Sequence, residues 1–269
     1  MSIGIPRWPG LWLPNYNPIR PGNEGTTPIE IPGVPTGGVA TFSVTTALSF
    51  NGTSSTLSAP DAAAIRPSTQ FTLTGWVRRN TAGAGTKVMF RKWDYTGTTG
   101  GFFSVNFAEG SSHDILIPEN LTSSGGTLGR WPATLYPVGT WVYFTLVYDG
   151  TQGTNAGRLQ LWINGVQQTA TTFFGTIPSS MQFTGTSHLF RVGASTGGAL
   201  FAPFDYADTR LYVQRALTGP EINNLYNGIQ DLGSLALWYR YAEGSGTVVN
   251  DSAGTNTGTS ANATYISYP

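Results

Sequence analysis

The clearest alternation of apolar and polar positions lies between Gly139 and Thr171. Trp141 to Tyr148 is rich in aromatic and β-branched residues, and after Asp149-Gly150 a second run, Arg158 to Ile163, alternates strictly. Period-two runs that are separated by turn residues predict antiparallel strands. Asn164-Gly165 then predicts a two-residue hairpin turn, because both residues tolerate the positive φ angles of a type I′ turn.

Two of the predicted strands carry aromatic and polar side chains on the face opposite their apolar face. In the second run above these residues are Gln160 and Trp162. In Gln70 to Arg78 they include Trp76 and Arg78. Because successive strand residues point to opposite sides of a sheet, we expect these four side chains to lie outside the core.

Other segments are assigned from their turn residues, their capping residues and their apolar runs. Glu109 to Val138 is predicted to be rich in loops. Thr218 and Glu221 form a capping box ahead of an apolar stripe, which predicts one short helix, placed at the edge of the sandwich. The remaining predicted strands are Thr41–Phe50, Thr56–Ser58, Val88–Lys92, Gly101–Phe107, Leu189–Gly193, Thr209–Val213 and Ser234–Tyr241.

These elements predict an all-β fold, an antiparallel two-sheet jelly-roll sandwich with one short helix. The sandwich is assigned to residues 39–269, with residues 234–269 completing it. Residues 1–38 hold eight of the 17 prolines and are predicted to form an extended anchoring arm, because proline interrupts helices and central strands. Trp8, Trp12 and Tyr16 are the predicted anchors of this arm, and a disordered tail is the alternative.

Composition excludes several classes of partner. Only 10% of the residues are charged and the formal net charge is zero, so the chain has no basic surface predicted to bind nucleic acid or an anionic membrane. It has no cysteine, hence no disulfide or thiolate metal site. The first residues contain Pro6, Pro9 and Pro14 and no apolar core of a signal peptide, so we expect the product to stay in the cytosol or to leave by cell lysis.

Several segments, taken in order, resemble laminin G-like, concanavalin A-like lectin/glucanase domains. They are SFNG (49–52), FTLTGWVR (71–78), GTWVYFTLVYDG (139–150), GRLQLWINGV (157–166) and RLYVQRALTGPEINNLYNG (210–228), followed by LALWYRYAEGSGTVVNDSAG (235–254). The resemblance implies a jelly roll that binds glycans, binds proteins or fills a structural role. The resemblance also suggests a bacteriophage structural protein, since domains of this type often occur in phage structural proteins.

Catalysis is not expected. Glucanases of this fold carry carboxylates in a Glu-x-Asp-x-x-Glu pattern, which this chain lacks. Ser195 lies in a Gly-x-Ser-x-Gly match without the strand-to-helix context of a nucleophile elbow. His113 and Asp114 are adjacent and would face opposite sides of a strand, and the expectation for His113 is a surface loop. His188 is expected to be solvated or capped.

Two kinds of ligand site remain as hypotheses. Calcium often binds at a loop edge in related domains, and Asp149, Asp205 and Asp208 lie in or near predicted turns, although they form no recognisable ligand spacing. No other cofactor is expected. For a glycan, an aromatic face beside planar polar groups would be needed, and the candidates are Trp162 with Gln160 and Trp76 with Arg78. The alternative is that these aromatic residues only pack against the rest of the sandwich.

These observations lead to two hypotheses for the function of the protein. In the first, the protein is a non-enzymatic virion component at the virion surface, a capsid decoration or a head or tail fibre. Residues 1–38 would dock on capsid or tail proteins, and the jelly roll could contact host-surface glycans. In the second, the chain is a secreted or cell-surface bacterial carbohydrate-binding module or lectin, and the arm is a linker. Homo-oligomerisation is open under both readings, and no heptad segment supports it.

Deleting residues 1–38 separates the two functions. Under the virion reading, the shortened protein should no longer assemble into particles, because the arm supplies the docking contacts. Particle incorporation, measured by sedimentation and immunoblotting, is the readout. Unchanged glycan binding without any particle association of the full chain would contradict the virion reading.

Overall fold

The computed structural model describes residues 43–82, 85–92, 103–108, 111–117, 127–181, 188–195, 198–230 and 233–268, which belong to one unit, Gly38–Tyr268. The helices are α1 (Asn155–Arg158) and α2 (Gly219–Tyr226), with 3₁₀ turns at Ala63–Ile65 and Ala133–Leu135. The strands are β1 (Thr46–Ser49), β2 (Thr56–Ala59), β3 (Gln70–Arg79), β4 (Thr86–Lys92), β5 (Phe103–Ala108), β6 (Ser112–Ile117), β7 (Thr127–Pro132), β8 (Trp141–Asp149), β9 (Leu159–Ile163), β10 (Val166–Gln168), β11 (Thr172–Phe174), β12 (Phe190–Val192), β13 (Phe204–Val213), β14 (Leu235–Tyr239), β15 (Val248–Val249), β16 (Gly258–Ala261) and β17 (Thr264–Ser267).

The strands form two sheets. The first sheet has the order β10-β9-β8-β3-β13-β1-β17, with β14 also paired to β13. The second sheet has the order β11-β7-β6-β5-β4-β12-β2-β16-β15. The named strand pairs in the described ranges are antiparallel, as in the β3–β8 pair, where Gln70 opposes Asp149 and Arg78 opposes Trp141. The predicted all-β, two-sheet antiparallel fold is therefore confirmed.

Aromatic rings from both sheets fill the space between them. Phe71 on β3 stacks on Phe103 of β5 with ring centroids 4.8 Å apart. Phe144 on β8 stacks on Phe90 of β4 at 5.6 Å. These rings are fully buried, and the burial of Phe71 agrees with the alternation predicted for β3. Each ring removes on the order of 150–250 Å² from water, so such cross-sheet pairs contribute strongly to the stability of the sandwich.

A β-bulge in β13 places an ion pair on the outer face of the first sheet. The pairing with β3 shifts between Ala207 and Arg210, and Asp208 has a positive φ of 53°. A Cβ on Gly75, opposite the bulge, would lie 3.0 Å from the Asp208 carbonyl oxygen, so glycine leaves room for it. Arg210 Nε donates to Asp208 Oδ1 at 3.0 Å, and the Trp238 indole donates to the same oxygen.

Helix α2 lies on the outer face of the first sheet, and its predicted position at the sandwich edge is wrong. The predicted capping box is present, with Thr218 and Glu221 bonded reciprocally. Ile222 and Leu225 are buried in a separate apolar cluster with sheet residues that include Tyr143. The apolar stripe of the helix is therefore buried against the broad face of the sheet, because a sheet edge is too narrow to cover it.

Two further assignments are corrected. The segment predicted to be loop-rich, Glu109 to Val138, contains β6 and β7, paired from Ser112↔Pro132 to Ile117↔Thr127. A second short helix, α1, precedes β9, because the side chain of Thr154 caps it by accepting a hydrogen bond from Gly157 N at 3.1 Å. Within the described part of the chain, no helix is long and apolar enough to cross a membrane.

His113 is a core residue, so its predicted surface-loop position is wrong. It lies in β6, fully buried, with Nδ1 3.1 Å from the hydroxyl of Tyr136 and its ring edge-on to that of Tyr136. Its neighbour Asp114 faces outward and pairs with Arg130, as expected for adjacent strand residues. His188 is also buried, at 1% exposure, rather than solvated. Burial lowers the pKa of His113 from 6.5 to about 3, against a small opposing effect of Asp114.

The buried imidazole makes stability depend on pH. Below about pH 6.5 the unfolded chain binds a proton at His113, while the folded chain does not until about pH 3, so the free energy of unfolding falls as the pH falls. The expected loss is about 1.4 kcal/mol per pH unit. Urea unfolding of wild type and His113→Gln between about pH 6.5 and about pH 5 measures it. Parallel curves for the two proteins would contradict the assignment.

Candidate functional site

A pocket of about 270 Å³ opens at the edge of the sandwich where the chain crosses from the first sheet to the second. β10 ends the first sheet and β11 ends the second, and the two strands are consecutive in the chain. Residues 169–171 make the crossing. The lining residues are Trp131, Ala156, Leu159, Gln160, Gln167, Gln168, Thr169, Ala170 and Phe173.

Local sequence sets the crossing. The predicted Asn164-Gly165 turn closes the β9–β10 hairpin with φ angles of 52° and 77°, and Tyr143 N donates to Asn164 Oδ1 at 2.7 Å. β10 then pairs with β9 for only three residues. Thr171 N donates to Arg130 O at 2.7 Å, which starts the pairing of the next strand with β7. The chain therefore joins two sheet edges over a short distance.

Trp131 is the buried aromatic residue of the pocket. Its indole Nε1–H donates to Gln168 O at 3.0 Å, which ties β7 to the end of β10. The ring of Phe173 meets it edge-on, at 6.2 Å and 83°. Phe173 is half-buried, so it presents apolar surface to the pocket as well as to Trp131. Together the two rings give the pocket a rigid apolar side.

Amide and hydroxyl groups form the polar side. Gln160 Nε2 donates to Gly157 O at 3.0 Å, and Gln168 Nε2 donates to Val166 O at 2.8 Å. Gln167 and Thr169 are exposed, and neither side chain makes a hydrogen bond within the described residues. Each amide or hydroxyl can both donate and accept a hydrogen bond. This side of the pocket can therefore bind a ligand that carries several hydroxyl groups.

The structure separates the four predicted glycan contacts. Gln160 lines the pocket. Trp162 lies behind it, because its Nε1–H donates to Gln160 Oε1 at 3.3 Å and its ring lies against Gly219 at the start of α2. It belongs with the apolar cluster under the helix, so in this position it orients Gln160. Glycan contact by Gln160 and Trp162 stays a prediction.

Trp76 and Arg78 lie elsewhere on the same outer face, with β8 between them and β9. Trp76 packs against Tyr143 at 5.1 Å and against Tyr268 at 5.8 Å. Arg78 donates from Nε to Asp205 Oδ2 at 2.7 Å and stacks over Trp141 at 5.0 Å. The packing that sequence alone left as an alternative accounts for both side chains, and their glycan contact remains a prediction.

The three aspartates proposed for calcium lie in three separate places. Asp149 accepts hydrogen bonds from Gln70, Thr151 and Gln152, and these outweigh the effect of burial and lower its pKa. Asp205 is bound by Arg78 and Asn80. For Asp208, burial raises the pKa more than Arg210 lowers it. The described residues contain no group of three or more His, Asp or Glu side chains arranged to hold a metal ion.

The other predicted residues are not part of the pocket. Ser195 follows strand β12, and its Oγ donates to Ala199 O at 2.8 Å. The arm residues Trp8, Trp12 and Tyr16, and the arm itself, lie outside the described residues. The sequence did not indicate most of the pocket residues, among them Trp131, Phe173, Gln167 and Gln168. The Asn-Gly hairpin, followed closely by Phe173-Phe174, is the signal that could have indicated them.

The profile of the concanavalin A-like lectin/glucanases superfamily matches residues 51–223. The chain belongs to this superfamily. Its match covers most of the sandwich, including the whole segment from β7 to β11 that forms the pocket. The resemblance derived from the sequence motifs is confirmed at this level, whereas neither this match nor the structures below support a bacteriophage context. No curated protein matches the chain.

Several solved structures are similar to this chain at low sequence identity, and the first of them shares its fold. A candidate carbohydrate-binding protein from Bacteroides ovatus has a TM-score of 0.58 and 15% identity over 84% of this chain, which spans 60% of that protein. A pentraxin from Limulus polyphemus has a TM-score of 0.48 and 13% identity, covering 80% of this chain and 95% of the pentraxin. A Trypanosoma rangeli sialidase has a TM-score of 0.47 and 17% identity, covering 67% and 27%.

The position of the Trp131 ring depends on the lack of a side chain at Gly129. A Cβ there would lie 2.7 Å from two atoms of that ring and 3.0 Å from Phe173. Gly129→Ala should therefore lower the free energy of unfolding by about 1–3 kcal/mol, the usual cost of overpacking. Urea unfolding measures the loss. The control is Gly153→Ala, where a Cβ would meet nothing within 4 Å, and equal stability of the two variants would contradict this account.

Proposed function

We propose that the sandwich is a carbohydrate-binding module that does not alter its ligand. The pocket at the β10–β11 crossing carries the proposal, since it sets two aromatic rings against amide and hydroxyl groups in one concave site. Binding sites for small molecules have this composition, a mainly apolar wall with a few placed polar groups. Membership of a superfamily of lectins and glucanases supports the proposal, as does the fold shared with the Bacteroides ovatus protein.

The absence of catalysis is part of the proposal. Glycoside hydrolysis ordinarily uses two carboxyl groups on either side of the scissile bond. None of the nine lining residues has a titratable side chain. His113 and Asp114 point to opposite faces of β6, with the histidine inside the core. The residues around this pocket are therefore equipped to hold a sugar and not to protonate or attack it.

The virion role is the less supported reading. It depends on residues 1–38, which lie outside the described residues, and on a phage context that the family match does not supply. Docking through the arm and a location on the virion surface remain predictions from the sequence. The carbohydrate-binding proposal is independent of the arm, because the pocket residues all lie between Trp131 and Phe173. For a carbohydrate-binding module of this kind, the predicted location is extracellular or at the cell surface.

The double variant Gln167→Ala/Thr169→Ala tests the pocket. Both side chains are exposed and make no hydrogen bond within the described residues, so stability should be unchanged. Losing two hydrogen bonds to the ligand should weaken glycan binding at least about tenfold. A glycan array identifies ligands of the wild-type chain, and titration calorimetry with one of them compares the variants.

Thr259→Ala is the matched control, because Thr259 is exposed on β16 near the opposite edge of the second sheet. It should leave binding unchanged. Equal affinity of the double variant and the control would place the site elsewhere. Reducing ends are measured in the same incubations, and their release by the wild-type chain would contradict the absence of catalysis.

A further inference from the structure

The chemistry of the pocket restricts which carbohydrate it can take, if the proposed function holds. We propose that its ligand is a single, uncharged sugar ring. Three features of the pocket lead to this class of ligand: its volume, the lack of ionic groups in its lining, and the hydrogen-bonding capacity of its polar side.

Volume limits the ligand to one ring. The pocket holds about 270 Å³, slightly below the roughly 300 Å³ at which pockets begin to enclose drug-sized molecules. Its apolar wall is held in place, because Trp131 bonds to the Gln168 carbonyl at 3.0 Å and packs on Phe173. A second ring of an oligosaccharide would therefore extend into solvent and add little contact area.

Charge limits the ligand to neutral sugars. The nine lining residues carry no ionic group. The two arginines nearest in sequence are engaged in other directions. Arg158 donates to the carbonyl oxygens of Gln152 and Ile177, and Arg130 holds Asp114 on the opposite side of β7 from Trp131. A carboxylate in this pocket would lose water without gaining a cation, which is strongly unfavourable.

The polar side matches hydroxyl groups. A sugar hydroxyl donates and accepts at the same time, and so does a glutamine amide or a threonine hydroxyl. Gln167 and Thr169 have their full hydrogen-bonding capacity available within the described residues. The Gln160 amide is held on both sides, by Trp162 Nε1 at 3.3 Å and Gly157 O at 3.0 Å, which leaves one N–H of its Nε2 for a ligand. Trp162 thus acts as a positioning residue.

Pairs of sugars that differ only at one carbon test the proposal. Glucose is compared with glucuronate, and galactose with galacturonate, by ligand-observed NMR titration of the full chain. The neutral member of a pair should bind at least about tenfold more tightly, equivalent to about 1.4 kcal/mol. Disaccharides of the neutral sugar should bind within about threefold of the monosaccharide, because the second ring lies outside the pocket.

Gln167→Arg provides the charge-reversal variant, and Gln167→Leu is its uncharged control. Arginine should raise uronate binding relative to the neutral sugar, whereas leucine should weaken both without changing their ratio. Trp162→Phe, which keeps an aromatic ring but removes the indole N–H, should weaken the neutral sugar several-fold. The smaller side chain also loses packing against Gly219, so the unfolding temperature is measured and binding is compared well below it. An unchanged affinity in Trp162→Phe would refute the positioning role.

The outcomes separate the two levels of proposal. Equal or tighter binding of a uronate, lost in Gln167→Ala/Thr169→Ala, would overturn the neutral class and leave carbohydrate binding at this pocket intact. Much tighter binding of disaccharides, lost in the same variant, would overturn the single-ring limit alone. No binding of any sugar on the array or in the titrations, by a folded chain, would overturn the proposed function and this inference together.

Discussion

The sandwich depends on the burial of aromatic rings that the two sheets supply to each other. Phe71 and Phe144 project inward from β3 and β8, and they stack on Phe103 and Phe90 of the second sheet. Neither sheet can remove its own inner face from water, so the two must form together. The aromatic layer holds the two sheets together. The helix on the outer face and the pocket at the edge where the sheets are joined are both built on these sheets.

Period-two alternation was sufficient to predict much of this architecture. It placed Phe71 of β3 and the leucines of β9 on the inward face correctly, and local turn and capping chemistry located the Asn164-Gly165 hairpin and the first turn of α2. It misplaced His113, because a histidine in the polar run around Ser111 and Ser112 gives no local sign of burial. Only the pairing of β6 between β5 and β7 decides that this imidazole faces the core.

The candidate site was less predictable for the same physical reason. Gln160 could be found because it lies outward on a clearly alternating strand, but its neighbours across the pocket come from β7 and β11 of the other sheet. That proximity is created by the crossing of the chain. Trp162 and Trp76 were correctly placed outside the inter-sheet core. The sequence did not show that α2 and Tyr268 would pack on them.

Most of the pocket is contiguous in the chain, because one crossing supplies the ends of both sheets. Five of its nine lining residues fall between Gln167 and Phe173, whereas Trp131 and the β9 residues belong to the framework. A single cassette of seven codons therefore encodes most of the recognition surface, although Ala170 and Phe173 within it also pack against the core cluster. Cassettes that keep these two residues and vary the others would give a compact library for engineering new sugar selectivities on one scaffold.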